Sequence, residues 1–114
     1  MPIYHIAYAA DWQTAQEDGK YTVSTKGRSL AEQGFIHAGE ADQVAPVANM
    51  IYKGDSGLVV LVIDPQLLRP ELKYDPVPGW AKPFPHIYGP LNPDAVTGVR
   101  PLVADDDGTF SFEA

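Results

Sequence analysis

Gly57-Leu58-Val59-Val60-Leu61-Val62-Ile63 decides the fold, because this segment is apolar on both faces and rich in β-branched residues. Segments of this kind form central strands, covered on both sides by other parts of the protein. Its apolar run, Leu58 to Ile63, is also the longest in the chain and is far too short to cross a bilayer. We therefore expect a sheet built around this strand and no membrane partner.

Shorter elements are predicted before this strand. Ile3 to Tyr8 alternates apolar and aromatic residues around His5, which predicts a first strand. Asp11 to Asp18 predicts a helix that is closed by Gly19 and that turns Trp12 and Ala15 inward. The weaker predictions are a strand over Tyr21–Ser24, a helical turn over Arg28–Gln33 ending at Gly34, and a short strand over Phe35–Ala38.

A second helix is predicted over Asp42–Tyr52, where apolar residues recur at helical spacing. Asp42 is the expected cap, Gly54 follows the end, and Pro46 must lie in the first turn or bend the helix.

Eight of the eleven prolines lie between Pro65 and Pro93, so we expect turns, extended pieces and sheet edges there. The last strands are predicted over Val96–Val103 and Thr109–Phe112. Asp105-Asp106-Asp107 lacks the spaced ligands of a calcium loop and is interpreted as a solvated turn before Gly108. These elements predict one α+β domain over residues 1–114.

Composition excludes several classes of function. The chain has 15 acidic and 8 basic residues, a formal charge of -7 and scattered cations, which argues against nucleic-acid or anionic-membrane partners. Without cysteine there are no disulfides and no thiolate catalysis. The N-terminus shows no signal peptide, so cytoplasmic localisation is expected. There is no Gly-rich phosphate loop, metalloprotease His pair or nucleophile elbow.

The three histidines, His5, His37 and His86, each lie between apolar neighbours on a predicted strand. A histidine in this setting is either a packed core residue or a site residue held on a rigid element. Three imidazoles could also bind zinc, but no pair has the spacing of a preorganised ligand set, so no metal is expected. A metal-dependent hydrolase using all three histidines is the lesser alternative.

Phe84-Pro85-His86-Ile87-Tyr88-Gly89-Pro90-Leu91 is the densest feature of the sequence. Strand alternation places His86 and Tyr88 on one face, and Gly89 allows close approach. An imidazole and a tyrosine suit a small polar ligand with a flat ring. An edge strand whose His86 and Tyr88 side chains end in water would give the same pattern. The acidic residues nearest in sequence to the strands of His37 and His86 are Asp75, Glu40 and Asp42.

Two strings, Gly34-Phe35-Ile36-His37 and Phe84-Pro85-His86-Ile87-Tyr88-Gly89-Pro90-Leu91, resemble the bacterial and plant family known as domain of unknown function 952. The resemblance continues over most of the chain, through Tyr4-His5-Ile6, Trp12, Gln43 and Ile63-Asp64. It implies similarity to the ADP-ribosyltransferase-like fold, a small split antiparallel sheet with two or three short helices that holds NAD in a cleft.

By this resemblance His37 would contact a ribose of NAD, and His86 or Tyr88 would lie beside the nicotinamide. His37, His86 and Tyr88 are thus the candidate catalytic residues, and His37 and Tyr88 the candidate cofactor contacts. Gly39 stands where the family usually has Ser. No motif fixes an acid, for which Asp75 and Glu113 are candidates.

Without a placed carboxylate, an oxocarbenium-like charge has no stabiliser. The resemblance therefore implies an enzyme that transfers ADP-ribose from NAD or hydrolyses NAD. The alternative is a non-catalytic module that binds a small molecule or a protein.

Overall fold

Two antiparallel sheets of three strands form the body of the computed structural model, which describes residues 1–114. The first sheet has the order β1-β5-β8 and the second β4-β7-β6, while β2 and β3 form a separate hairpin. The strands are β1 (Ile3–Tyr8), β2 (Val23–Thr25), β3 (Arg28–Ser29), β4 (Ile36–His37), β5 (Leu58–Ile63), β6 (Glu71–Asp75), β7 (Phe84–Tyr88) and β8 (Val96–Leu102).

Three α-helices accompany the sheets, so the fold is α+β as predicted. They are α1 (Ala9–Asp18), α2 (Leu30–Gln33) and α3 (Ala41–Ile51), and single 3-10 turns cover Pro65–Leu67 and Pro93–Ala95. None of the helices has the length and apolar character needed to span a bilayer.

The apolar strand β5 is central in its sheet, which confirms the prediction made from its sequence. Leu61 and Ile63 pack with Ile36 and Ile87 of the second sheet in one core cluster. Residues of the same strand that face the other way, Leu58 and Val60, belong to a second cluster with α3. A strand buried on both faces needs apolar residues at every position, and its sequence provides them.

The two sheets meet where β1 passes the end of β4. The Tyr4 N–H donates to the Gly39 carbonyl at 2.8 Å, and the Gly39 N–H returns the bond to Tyr4 at 2.7 Å. A Cβ at Gly39 would lie 3.3 Å from Cβ of Gln43, which is tight. Glycine thus fits the close packing between this junction and α3.

Helix α3 corrects the prediction for its start. The residue before the helix is Glu40, whose backbone N–H donates to Oε1 of Gln43 at 2.8 Å. Asp42 lies inside the first turn and contacts Nζ of Lys82 instead. Pro46 lies within the helix, where it removes the backbone hydrogen bond to the carbonyl of Asp42.

Strand β7 is central in its sheet although it contains Pro85, so the expectation of a sheet edge was wrong for this segment. The Pro85 carbonyl accepts from Ala38 N–H at 3.0 Å, which shows that its ring nitrogen also faces the β4 side. Because β4 ends at His37, the missing donor falls where pairing stops.

The predicted strand over Thr109–Phe112 was also wrong, because this segment is irregular. Its buried residue Phe110 pairs with a side chain instead of a strand. Asn49 of α3 accepts from the Phe110 N–H at 2.7 Å and donates to its carbonyl at 3.0 Å. The amide of Asn49 thus satisfies the backbone groups that a strand partner would have taken.

Gly89→Ala is expected to destabilise the fold by about 1–3 kcal/mol, the usual cost of overpacking. An added Cβ at Gly89 would lie 2.7 Å from Cβ of Pro70, which is a rigid ring beside the start of β6. Gly98→Ala is the matched control, because its Cβ would meet Val62 at an ordinary 3.7 Å. Urea unfolding of both variants tests this, and equal losses of stability would contradict the steric argument.

Candidate functional site

The pairing of β4 with β7 places the His37 side chain directly opposite that of His86. Ala38 and Pro85 form the adjacent hydrogen-bonded position of this ladder, so His37 and His86 occupy a non-hydrogen-bonded position. Side chains at such positions approach one another most closely. The strand register therefore brings the two imidazoles into contact.

A chain of hydrogen bonds links Asp75 to both histidines. Oδ2 of Asp75 lies 2.8 Å from Nδ1 of His86, and Nε2 of His86 lies 3.1 Å from Nδ1 of His37. Asp75 comes from β6, so each of the three strands of this sheet contributes one member. We call this arrangement the Asp75–His86–His37 chain.

The partners fix the tautomer of each neutral ring. A carboxylate only accepts, so Nδ1 of His86 carries a proton and its Nε2 is left with a lone pair. That lone pair faces Nδ1 of His37, which must then carry the proton of the second bond. Nε2 of His37 is consequently the free lone pair at the end of the chain.

This nitrogen has access to solvent. Nε2 of His37 has no hydrogen-bond partner in the protein, and no buried side-chain nitrogen or oxygen in the structure lacks one. The atom is therefore not buried, although the residue as a whole is half-buried. A hydrogen-bond acceptor of this kind is available to a ligand.

The backbone of His37 also makes hydrogen bonds to side chains. Its N–H donates to Oγ of Ser24 at 3.3 Å, and its carbonyl accepts from Nδ1 of His5 at 2.5 Å. Ser24 and His5 are both buried. Polar contacts on the backbone and on the ring restrict the position of His37 before any ligand arrives.

His5 is a core residue. It is only 2% exposed, and its second ring nitrogen, Nε2, lies 2.8 Å from the hydroxyl of Tyr21. Since Nδ1 donates to a carbonyl, Nε2 accepts from the tyrosine. Burial lowers the pKa of His5 to about 4, so the ring is neutral at pH 7.

Burial also lowers the pKa of His37 to about 4, and the neighbouring His86 and His5 add to this effect. The hydrogen bonds from Tyr88 and His86 lower the pKa of Asp75, which keeps it ionised at neutral pH. The same carboxylate raises the pKa of Tyr88.

His37 and His86 lie on the wall of a cleft of about 300 Å³ between the second sheet and α3. Most of the wall is apolar or aromatic. The lining residues are Thr25, Gln33, Phe35, His37, Val47, Met50, Ile51, Val77, Trp80, Phe84 and His86. We call this feature the His37 cleft.

The third candidate, Tyr88, is on the same face as His86 but does not line the His37 cleft. Its hydroxyl donates to Oδ2 of Asp75, the atom that also accepts from His86. Lys73 lies over the Tyr88 ring, with Nζ 5.0 Å from the centroid. The structure thus joins Tyr88 to the chain through Asp75.

Of the candidate acids, only Asp75 contacts a histidine. Glu40 and Asp42 share Nζ of Lys82 at 3.0 and 2.8 Å on the surface, and Glu113 is exposed. Sequence reasoning missed Phe35, whose ring stacks on His86 at 3.9 Å. Its place within the Gly34-Phe35-Ile36-His37 string was the available indication.

The histidines do not form a ligand set for a metal ion. Both ring nitrogens of His5 have protein partners, a carbonyl and a tyrosine hydroxyl. No group of three or more potential ligands is present. The alternative of a hydrolase with a metal on His5, His37 and His86 is therefore wrong in its ligand set.

Solved structures resemble this fold along nearly its whole length. The crystal structure of protein CC0527 from Caulobacter crescentus is 31% identical with a TM-score of 0.85, covering 97% of this chain and 94% of that one. The solution NMR structure of the same protein gives 32% identity and a TM-score of 0.77, covering 95% and 90%. The comparison with curated proteins gave no match.

The family model described as "Protein of unknown function (DUF952)" matches residues 6–99. The match includes β4 and β7, which carry His37 and His86, and most of the other strands of the two sheets. The chain therefore belongs to the DUF952 family of unknown function.

Proposed function

We propose that the protein is an enzyme acting on a small molecule, in which His37 is the general base and the His37 cleft holds the ligand. The observation that carries this proposal is the Asp75–His86–His37 chain, whose free nitrogen is open to solvent at the cleft. A carboxylate that orients an imidazole base is a recurring arrangement in catalysis, and here a second imidazole lies between the carboxylate and the base.

The chain provides a path for the proton that the base removes. Nε2 of His37 would take a proton from the ligand while its Nδ1 proton passes to Nε2 of His86. His86 then carries both ring protons and a positive charge beside the carboxylate of Asp75. The net result is one proton gained by the protein, with the charge stored on His86.

This transfer accounts for a base with a low pKa. His37 resists a positive charge because it is half-buried beside other histidines. His86 is better placed to hold that charge, since Asp75 lies 2.8 Å from Nδ1 and the Phe35 ring stacks at 3.9 Å. Ion pairing and cation–π attraction both favour an imidazolium at this position.

ADP-ribosyl transfer from NAD, or its glycohydrolysis, is a second candidate. Two antiparallel sheets that meet at the Tyr4–Gly39 bridge, with His37 beside the junction, support similarity to the split sheet of ADP-ribosyltransferases. The cleft wall provides no carboxylate for an oxocarbenium-like charge, which favours the general-base proposal. Unchanged NAD after long incubation with concentrated protein would count against the transferase.

A non-catalytic binding module would use the same cleft without turnover. A ligand that raises the melting temperature and is recovered unchanged would support this alternative, because binding to the native state stabilises it.

Carbethoxylation by diethyl pyrocarbonate is expected to modify His37 first, because the reagent needs a neutral imidazole nitrogen with an accessible lone pair. His5 and Nε2 of His86 are protected by their partners. The reaction is run at about pH 8, above the ordinary imidazole pKa of about 6.5.

Peptide mass spectrometry at short reaction times identifies the modified residue, with N-acetylhistidine as the reference for the rate. Preferential modification of His5 or His86, or no reaction at His37, would contradict the proposed base.

A further inference from the structure

We infer that the His37 cleft takes an uncharged planar ring that presents an N–H or O–H donor to His37, and that no phosphate or carboxylate enters it. This inference rests on the proposed function, because it uses Nε2 of His37 as the polar end of the site. It adds the chemical class of the ligand.

The charge of the lining gives the first argument. The His37 cleft is lined by no lysine, arginine, aspartate or glutamate. The cations Lys26 and Lys82 are each held 2.8 Å from a carboxylate, on Asp55 and Asp42. With both histidines of the chain neutral, an anion in the cleft would lose its hydration without gaining a charged partner.

The shape of the wall gives the second argument. Trp80 and Phe84 meet edge to face with ring centroids 5.0 Å apart, and aliphatic residues of α3 line the same cleft. Such walls favour the faces and edges of flat rings. A volume of about 300 Å³ is at the small end of the range for ligand pockets. It suits one ring system with its substituents.

The polar groups determine the hydrogen bonding that the ligand must offer. Nε2 of His37 is an acceptor, so the ligand needs a donor at that end. Thr25 and Gln33 contribute a half-buried hydroxyl and a half-buried amide to the same wall. A few convergent polar groups in an apolar cleft orient a ligand and distinguish it from its analogues.

Two matched pairs of probes test the inference in the intact chain: adenosine with adenosine 5′-monophosphate, and nicotinamide with nicotinate. Each pair keeps one ring system: adenosine 5′-monophosphate adds a phosphate to adenosine, and nicotinate has a carboxylate in place of the amide of nicotinamide. ¹H–¹⁵N NMR titration follows the indole N–H of Trp80, which lines the cleft, and that of Trp12, a residue of α1 that is buried in the core. Trp12 is thus the internal reference.

In at least one pair, the uncharged probe is expected to shift Trp80 and the His37 ring, and to bind about tenfold or more tightly than its anionic partner. A difference of this size corresponds to about 1.4 kcal/mol. Shifts at Trp12 of the same size as at Trp80, or no binding by any probe, would overturn the inference. The proposed base would still be judged separately by the carbethoxylation of His37.

Equal or tighter binding of the anionic probes would also overturn the inference. Arg28 is the cation to examine in that case, because it pairs across the β2–β3 hairpin with the lining residue Thr25. If Arg28→Ala removed a preference for adenosine 5′-monophosphate, the cleft would have a phosphate anchor at its mouth. That result would not contradict the proposal that His37 is the general base.

Discussion

Asp75→Ala is expected to slow carbethoxylation of His37 by about twofold or more, although Asp75 does not touch His37. A hydrogen bond to a charged group contributes about 1.5–3 kcal/mol, so its loss lowers the preference of His86 for the Nδ1 tautomer by a factor of about ten to one hundred. Once both tautomers are populated, only the molecules with the Nδ1 tautomer of His86 keep a reactive His37. Without the carboxylate, His86 loses the partner that holds its proton on Nδ1. His86 can then carry the proton on Nε2 and force His37 into the unreactive tautomer.

Long-range ¹H–¹⁵N spectra separate this mechanism from a loss of structure. In the native protein, Nε2 of both His37 and His86 should resonate as lone-pair nitrogens, and Asp75→Ala should give His86 a mixture of tautomers. Asp55→Ala is the matched control, since Asp55 also accepts from a tyrosine, Tyr8, at 2.8 Å but contacts no histidine. An unchanged rate in Asp75→Ala, or equal slowing in Asp55→Ala, would contradict the positioning role.

The elements that sequence predicted best are those whose pattern is local. β1 has the predicted bounds, Ile3–Tyr8, because alternation over six residues is unambiguous. The β-branched segment before Asp64 forms the central strand β5, and period-two spacing places His86 and Tyr88 on one face of β7. Each of these results depends on residues within one strand.

The contacts that make the site depend on register between distant segments. His37 meets His86 only because β4 and β7 pair one to one, and these residues are 49 positions apart. Asp75 reaches His86 across a Pro-rich loop, whose course sequence does not specify. Glu40 and Asp42 lie closer to His37 along the chain than Asp75 does, yet both turn to Lys82.

Two wrong predictions share a cause, which is that tertiary partners replaced a local preference. Pro85 predicted an edge strand because proline has no N–H for a neighbouring strand. In the structure β4 ends at His37, so the missing N–H of Pro85 falls where the pairing with β4 stops. Thr109–Phe112 has the composition of a strand, but the Asn49 side chain occupies the backbone groups of Phe110. Neither partner lies near these segments in the sequence.

Acid is expected to weaken the fold below pH 6.5 through His5, the buried histidine behind the site. The pKa of His5 is about 4 in the folded chain, against about 6.5 when exposed. As pH falls below 6.5, the unfolded chain binds the proton first, so the free energy of unfolding decreases until the folded His5 titrates near pH 4. At about 1.36 kcal/mol per pH unit, the loss reaches about 2 kcal/mol at pH 5 and about 3 kcal/mol at pH 4.

A pair of variants isolates this effect from the titration of carboxylates and of His37. Tyr21→Phe removes the hydroxyl on Nε2 but leaves His5 buried and titrating, so its stability should fall with pH as steeply as that of the native protein. His5→Asn combined with Tyr21→Phe keeps a donor for the His37 carbonyl and has no imidazole at position 5. Urea unfolding between pH 7 and pH 4.5 should show a shallower pH dependence in the double variant. Parallel curves for the two variants would show that His5 does not couple acid to unfolding, and that its pKa is not lowered by burial.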